Sequence, residues 1–91
     1  MEDISIKQVW EQALDHIEKN LDPGKFRATF SRTKPMSYED GVFTIAAPNE
    51  FDKKWIMGSY YDLTAETISS ILGSETELQI IVDEGIIKQQ L

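Results

Sequence analysis

The sequence predicts an α+β fold with the element order α-α-β-β-α-β, in which a three-stranded sheet packs against helices. Two observations predict this class. Apolar residues recur at helical spacing in separate segments. Segments in which apolar and polar residues alternate, as in strands, flank an Asp40–Gly41 turn and follow the last helix. The 91 residues, 41% of them hydrophobic, suffice for one core. We therefore expect a single small domain.

The first predicted helix starts at Ser5 and ends near Asn20. Ser5 and Gln8, three residues apart, form a capping-box pattern at its start. The apolar residues that follow share the spacing of one helix face, which is typical of a helix that packs on a core. They are Ile6, Val9, Trp10, Ala13, Leu14, Ile17 and Leu21.

A short second helix is predicted to follow at once. Asp22 is a favourable N-cap, and Pro23 then occupies the first helical position, where a backbone N–H is not needed. We expect this helix to continue to about Arg32, with Phe26 and Phe30 one turn apart. Because the link is so short, the first two helices should run antiparallel.

A β-hairpin is predicted next. Pro35 marks the entry to extended chain, and the Asp40–Gly41 pair is a strong signal for a tight turn. The flanking strands are residues 36–38 and 42–47. The second strand alternates, with Phe43, Ile45 and Ala47 on the face expected to meet the core.

A long third helix and a final strand complete the fold. Asn49 is the predicted N-cap, since Pro48 disfavours helix before it, and Gly73 is the predicted C-terminal cap. The pair Gly58–Ser59 predicts a kink or a break within this helix. The last strand covers residues 77–82, with its apolar residues inward. These are Leu78, Ile80 and Val82.

Composition limits the compartment and the chemistry. The chain has no cysteine, which excludes disulfides and thiolate metal sites. No stretch approaches the ~20 apolar residues that span a bilayer, and the start Met1-Glu2-Asp3 lacks the basic residues of a secretory signal. We expect a cytoplasmic protein that does not bind a membrane.

The sequence offers little for catalysis. His16 is the single histidine, so neither a nucleophile–base pair nor a transition-metal site has enough ligands. The five glycines are isolated, so no phosphate-binding loop is present. We expect no enzyme activity, no metal and no cofactor in this domain.

Two aromatic residues stand out at the start of the third helix. Phe51 and Trp55 are four residues apart and so lie on one helix face. We predict that Trp55 is a core residue. Phe51 lies in the first turn between acidic neighbours, so we predict that it is the contact residue of a recognition surface.

The run Ala47-Pro48-Asn49-Glu50-Phe51, followed by Trp55-Ile56 and Tyr60-Tyr61, resembles the amino-terminal domain (domain I) of the DnaA family of bacterial chromosomal replication initiators. Trp10 and the Asp40–Gly41 turn stand at the family's spacings, and the resemblance covers about residues 4–82. It implies a KH-like fold for residues 1–82. Residues 83–91 would then begin a flexible linker to a DNA-binding domain and an ATP-binding ATPase domain, both absent from this sequence.

The resemblance implies a non-catalytic protein-interaction module. Its roles would be weak self-association and recruitment of the replicative helicase and of initiation regulators. The partner-binding residues would be Asn49, Phe51 and Asp52 with Lys25, Phe26 and Thr29, and the self-association residues Trp10, Val9 and Leu14. Lys25 replaces an acid found in some members, and Thr29 replaces a common tryptophan; Phe30 is either a substitute anchor or a core residue.

An alternative from another class stays open, namely a KH-like module that binds single-stranded DNA weakly. Its contacts would be Lys25, Arg27, Arg32, Lys34, Lys53 and Lys54. The net charge of −7 counts against it, because phosphate neutralisation supplies most of the affinity for nucleic acids. The glycine loop of true KH domains is also missing.

Overall fold

The computed structural model describes residues 5–85. It confirms the α+β class, and the predicted order holds, with the third helix divided in two by a π-helical turn. The elements are α1 (Ile6–Lys19), α2 (Pro23–Phe30), β1 (Lys34–Glu39), β2 (Val42–Ala47), α3 (Glu50–Trp55), the π-helical turn (Ile56–Tyr60), α4 (Tyr61–Leu72) and β3 (Glu77–Val82). The predicted linker over residues 83–91 lies mostly outside the described residues and stays a prediction.

The first two helices begin at the predicted caps. The Ser5 hydroxyl accepts a hydrogen bond from the amide of Gln8 at 3.3 Å. The Asp22 carboxylate accepts from the amides of Gly24 and Lys25 at 3.0 and 3.3 Å. These side chains satisfy amide groups that the helices themselves leave unpaired.

The second helix is two residues shorter than predicted, since it ends at Phe30 rather than Arg32. The hydroxyl and amide of Thr33 both donate to the Phe30 carbonyl, at 2.7 and 3.1 Å. The Ser31 hydroxyl donates to the carbonyl of Arg27. Side-chain hydroxyls thus close the last turn just before Pro35 requires extended chain.

The three strands form one mixed sheet in the order β1-β2-β3. β1 and β2 pair antiparallel, while β2 and β3 pair parallel through the long helical crossover. Asp40 and Gly41 have φ angles of 53° and 77°, as both central residues of a type I′ hairpin turn require. The register shifts between Pro35 and Ser37, which marks a bulge at Met36.

The core lies between one face of the sheet and the helices. As predicted, Phe43, Ile45 and Ala47 of β2 and Leu78 and Ile80 of β3 are buried there. The buried helical residues are Val9, Trp10, Ala13, Ile17, Phe30, Ile56 and Ile68. The predicted apolar face of α1 is therefore confirmed, with Ile6, Leu14 and Leu21 partly buried at its margins.

The third predicted helix is interrupted where Gly58–Ser59 predicts a kink. Residues Ile56–Tyr60 form a π-helical turn between α3 and α4. Gly73 ends α4 with a φ angle of 77°, and its amide donates to the Ser69 carbonyl at 2.8 Å. This left-handed cap confirms the predicted helix end.

The prediction that Trp55 is a core residue is wrong. Its side chain is 45% exposed, whereas the next residue, Ile56, is fully buried. The i, i+4 spacing keeps Trp55 on the face of Phe51, and α3 turns that face away from the sheet. Ile56 supplies the apolar side chain that enters the core at this point.

The two tryptophans should therefore differ sharply in their contribution to stability. We expect Trp10→Ala to lower the free energy of unfolding by about 3–5 kcal/mol, since it leaves a large cavity in the core. Trp55→Ala, the matched control, should cost less than about 1 kcal/mol. Urea unfolding followed by circular dichroism measures both. Equal small losses would contradict the assignment of Trp10 to the core, and equal large losses would contradict the exposed position of Trp55.

Candidate functional site

A cavity of about 350 Å³ opens at the surface between α2 and α3. One wall comes from the α2 residues that turn away from the core, the other from the exposed face of α3, and Tyr60 of the π-helical turn completes it. We call this cavity the α2–α3 groove. Its lining residues are Lys25, Ala28, Thr29, Phe51, Asp52, Trp55 and Tyr60.

Two exposed aromatic rings form the α3 wall of the groove. Phe51 is 68% exposed and Trp55 is 45% exposed, and their ring centroids lie 6.2 Å apart in an edge-to-face arrangement. Their other sides face a smaller hollow that also contacts Lys54 and Ser59. The two rings thus form an exposed apolar ridge that lines two hollows.

Asn49 determines how this ridge is presented. Its side-chain oxygen accepts a hydrogen bond from the Asp52 amide at 2.8 Å, so it caps α3 as predicted. Pro48 is buried immediately before it. The cap fixes the first turn of α3, and the first turn carries Phe51.

Asp52 is the buried acid of the groove. Only 9% of the residue is exposed, and its carboxylate makes no hydrogen bond or ion pair with any residue in the described range 5–85. Burial raises the pKa of Asp52 above its usual range, while the positive charge of Arg32 lowers it by a smaller amount. The backbone amide of Asp52 serves the Asn49 cap, but its side chain is left facing the groove.

The second helix supplies the opposite wall. Thr29 is buried there, and Lys25 is exposed at the rim. Phe26 is half-buried and stacks on Phe30, with ring centroids 5.7 Å apart, so it supports the helix and does not line the groove. Phe30 is fully buried, which makes it a core residue and not a substitute for the tryptophan common in the family.

The structure brings together four of the six predicted partner-binding residues, namely Lys25, Thr29, Phe51 and Asp52. Asn49 and Phe26 stabilise the two walls from outside the lining. The sequence-based prediction missed Ala28, Trp55 and Tyr60 as lining residues. The i, i+4 spacing of Phe51 and Trp55 could have identified Trp55 as a lining residue, because it places both rings on one helix face.

The predicted self-association residues lie mainly in the core. Trp10 is 2% exposed, and its ring packs against Phe30 and Phe43 with centroid distances of 6.4 and 6.2 Å. Val9 is buried and Leu14 is partly buried. The Trp10 ring is therefore not available to a second copy in this conformation. Of the three predicted residues, Leu14 alone keeps part of its side chain at the surface.

Residues 5–85 contain no group of three His, Asp or Glu side chains that converge as metal ligands. Each helix in the same range is too short or too polar to span a lipid bilayer. His16 is exposed on α1.

Residues 7–70 match the family model described as the DnaA N-terminal domain. This match covers well over half of the chain. The chain belongs to the DnaA N-terminal domain family.

Relatives agree with this assignment. Proteins named "Chromosomal replication initiator protein DnaA" from two strains of Thermus thermophilus are each 28% identical to the chain over 87 residues. The aligned region is 96% of this chain but 20% of each relative. The chain thus spans about a fifth of the length of these DnaA proteins, and the resemblance predicted from the Ala-Pro-Asn junction is confirmed.

This member of the DnaA N-terminal domain family should be more stable when its buried acid is neutral. Burial raises the pKa of Asp52, so the folded state holds the proton to a higher pH than the unfolded chain, whose carboxyl has the ordinary pKa of 3.8. The protonated carboxyl contributes its full stability below the pKa of the unfolded chain, and this contribution is lost as the pH rises through the folded-state pKa. We expect Asp52→Asn to match the wild type near pH 3 and to become progressively more stable than it above about pH 4.

Urea unfolding of both proteins between acidic and neutral pH tests this. Glu50→Gln removes an exposed acid from the same helical turn and is the matched control for a general charge effect. An Asn variant that loses stability relative to the wild type as the pH rises would show that the Asp52 carboxylate is paired or otherwise stabilised, and a difference that does not change with pH would show that it is well solvated.

Proposed function

We propose that the domain is a non-catalytic protein-interaction module of a chromosomal replication initiator. It recruits the replicative helicase and initiation regulators by docking them on the α2–α3 groove. Membership of the DnaA N-terminal domain family and the name of the Thermus relatives support the setting in replication initiation. The observation that carries the docking proposal is the exposed Phe51–Trp55 ridge beside an apolar groove.

The energetics favour such a role for the ridge. Burying an exposed Phe or Trp side chain against a partner contributes roughly 1.5–3 kcal/mol of favourable free energy. Aromatic anchors at the centre of an interface provide much of the binding energy in protein complexes. The groove beside Phe51 offers space for a reciprocal side chain, and Lys25 at its rim gives a polar edge.

The alternative of single-stranded DNA binding is not part of this proposal. Sixteen acidic residues outnumber nine basic ones in the chain, so a nucleic acid would meet a net negative domain. The aromatic ridge also has acids beside it, since Glu50 and Asp52 flank Phe51 in the sequence.

Phe51→Ala is the direct test of the docking proposal. If Phe51 is an anchor, its truncation should weaken binding to the replicative helicase by about 2 kcal/mol, or roughly thirtyfold. Calorimetry with the purified helicase of the source cell measures the affinity. The free energy of unfolding should change by less than about 1 kcal/mol because the ring is mostly exposed.

Met57→Ala is the matched control for this experiment. Met57 is 45% exposed, like Trp55, but it does not line the groove. Its truncation should leave the affinity unchanged. The docking proposal fails if Phe51→Ala binds as tightly as the wild type, or if Met57→Ala weakens binding to the same extent.

We also propose that the domain self-associates weakly through the exposed margin of α1 around Leu14. Sedimentation at several protein concentrations should show a weight-average mass that rises with concentration. Leu14→Ala should weaken this association by about 1 kcal/mol, or roughly fivefold, by removing apolar contact area. Trp10→Ala is unsuitable here because it destabilises the core, so a change in association could not be assigned to a lost contact. A wild type that remains monomeric at every concentration would exclude self-association.

A further inference from the structure

Asp52 is a feature that docking of apolar surface alone does not explain. A carboxylate lies on the α3 wall of a groove whose other α3 residues are aromatic. It is 9% exposed and has no hydrogen-bond or ion-pair partner among residues 5–85. Burial of the residue raises the pKa of the Asp52 carboxyl, while its unpartnered oxygens keep contact with water that a docked partner would remove.

The fold offers the carboxylate nearby groups, but it pairs with none of them. Asp52 is the third residue after the Asn49 cap, where an acid can bond back to the cap amide, yet the bond between these residues runs only from the Asp52 amide to Asn49. Two bases are close enough to be relevant. Arg32 acts on Asp52 through its charge, and Lys25 lines the groove from α2, but neither makes an ion pair with it.

We infer that the groove selects partner segments in which an apolar side chain, seated between the Phe51–Trp55 ridge and α2, is accompanied by a Lys or Arg side chain that donates to the Asp52 carboxylate. This inference rests on the proposed function, because it assumes that the groove docks proteins. It adds the chemistry of the partner to that proposal.

The physical reason is the change in surroundings on docking. A partner that covers the ridge removes the remaining water from Asp52, so an entirely apolar segment would leave a fully buried carboxylate unpaired. A cationic donor turns the same burial into a charge-assisted hydrogen bond. The acid therefore penalises one class of partner and favours another, which is how specificity arises at a shared apolar site.

A neutral donor satisfies Asp52 less well than a cation does. Glu50 lies in the same first turn of α3 and adds a second negative charge near the ridge. Lys25 stands on the opposite wall and Lys54 lies beside the second hollow, so a cationic partner group is drawn to the first turn of α3 and repelled from the other two places. The partner's basic residue should therefore project to the α3 side of its apolar anchor.

A display library of short random peptides is the probe for the test. We expect selection on the wild-type domain to enrich peptides with an apolar or aromatic residue next to Lys or Arg. Selection on Asp52→Asn should keep the apolar residue and lose the basic preference. Glu50→Gln, with the same change of charge two residues away on an exposed side chain, should keep both.

Affinities of the enriched peptides complete the measurement. Asp52→Asn should weaken the best wild-type peptide by about tenfold or more, whereas Glu50→Gln should change its affinity by less than about threefold. Peptide affinity should also rise with pH as the Asp52 carboxyl ionises. An affinity that falls with rising pH would mean that docking buries the acid without a cationic partner, and would overturn the inference.

The outcomes separate this inference from the proposed function. Peptides that bind the wild type but not Phe51→Ala, and that show no basic preference or the same preference on Asp52→Asn, overturn the inference and leave the docking groove intact. Peptides that bind Phe51→Ala as well as the wild type, or a failure to select any peptide, overturn the docking groove itself.

Discussion

The packing of Trp10 against Phe30 and Phe43 holds the groove in place, although none of these rings is at the surface. Trp10 belongs to α1, Phe30 to α2 and Phe43 to β2, so one indole ring connects three elements. The ring of Phe30 also packs against that of Tyr60 in the π-helical turn, with ring centroids 5.8 Å apart. This chain of aromatic contacts fixes α2 relative to the segment that follows α3. The core thereby sets the spacing of the two groove walls.

The presentation of the ridge depends on a second, local constraint. The Asn49 cap fixes where α3 begins, and the helical period then places Phe51 and Trp55 together on one face. Ile56 enters the core directly after them and anchors the end of α3. A helix of six residues has little stability of its own, so its cap, its packing against β2 and β3, and the burial of Ile56 determine which face points outward.

The local features were predictable from the sequence because local chemistry determines them. The caps at Ser5, Asp22 and Asn49, the type I′ turn and the Gly73 helix end each depend on a few adjacent residues. The environment of Trp55 was not predictable in this way. Its burial depends on the face that α3 turns to the sheet, and that orientation comes from tertiary packing. The position of Trp10 on the apolar face of α1 already indicated a core residue, and the structure places it there. Its predicted role in self-association came from the resemblance alone.

The groove could be predicted from the sequence only in part. Its α3 wall could be inferred from the Phe51–Trp55 spacing, but its α2 wall requires Thr29 and Lys25 to approach residues more than twenty positions later in the chain. Asp52 reads from the sequence as an ordinary first-turn acid, favoured by the helix dipole. The folded domain leaves only 9% of the residue exposed and gives its carboxylate no partner among residues 5–85. A residue that favours its helix locally thus becomes, in the folded domain, a largely covered acid whose charge is available to a partner.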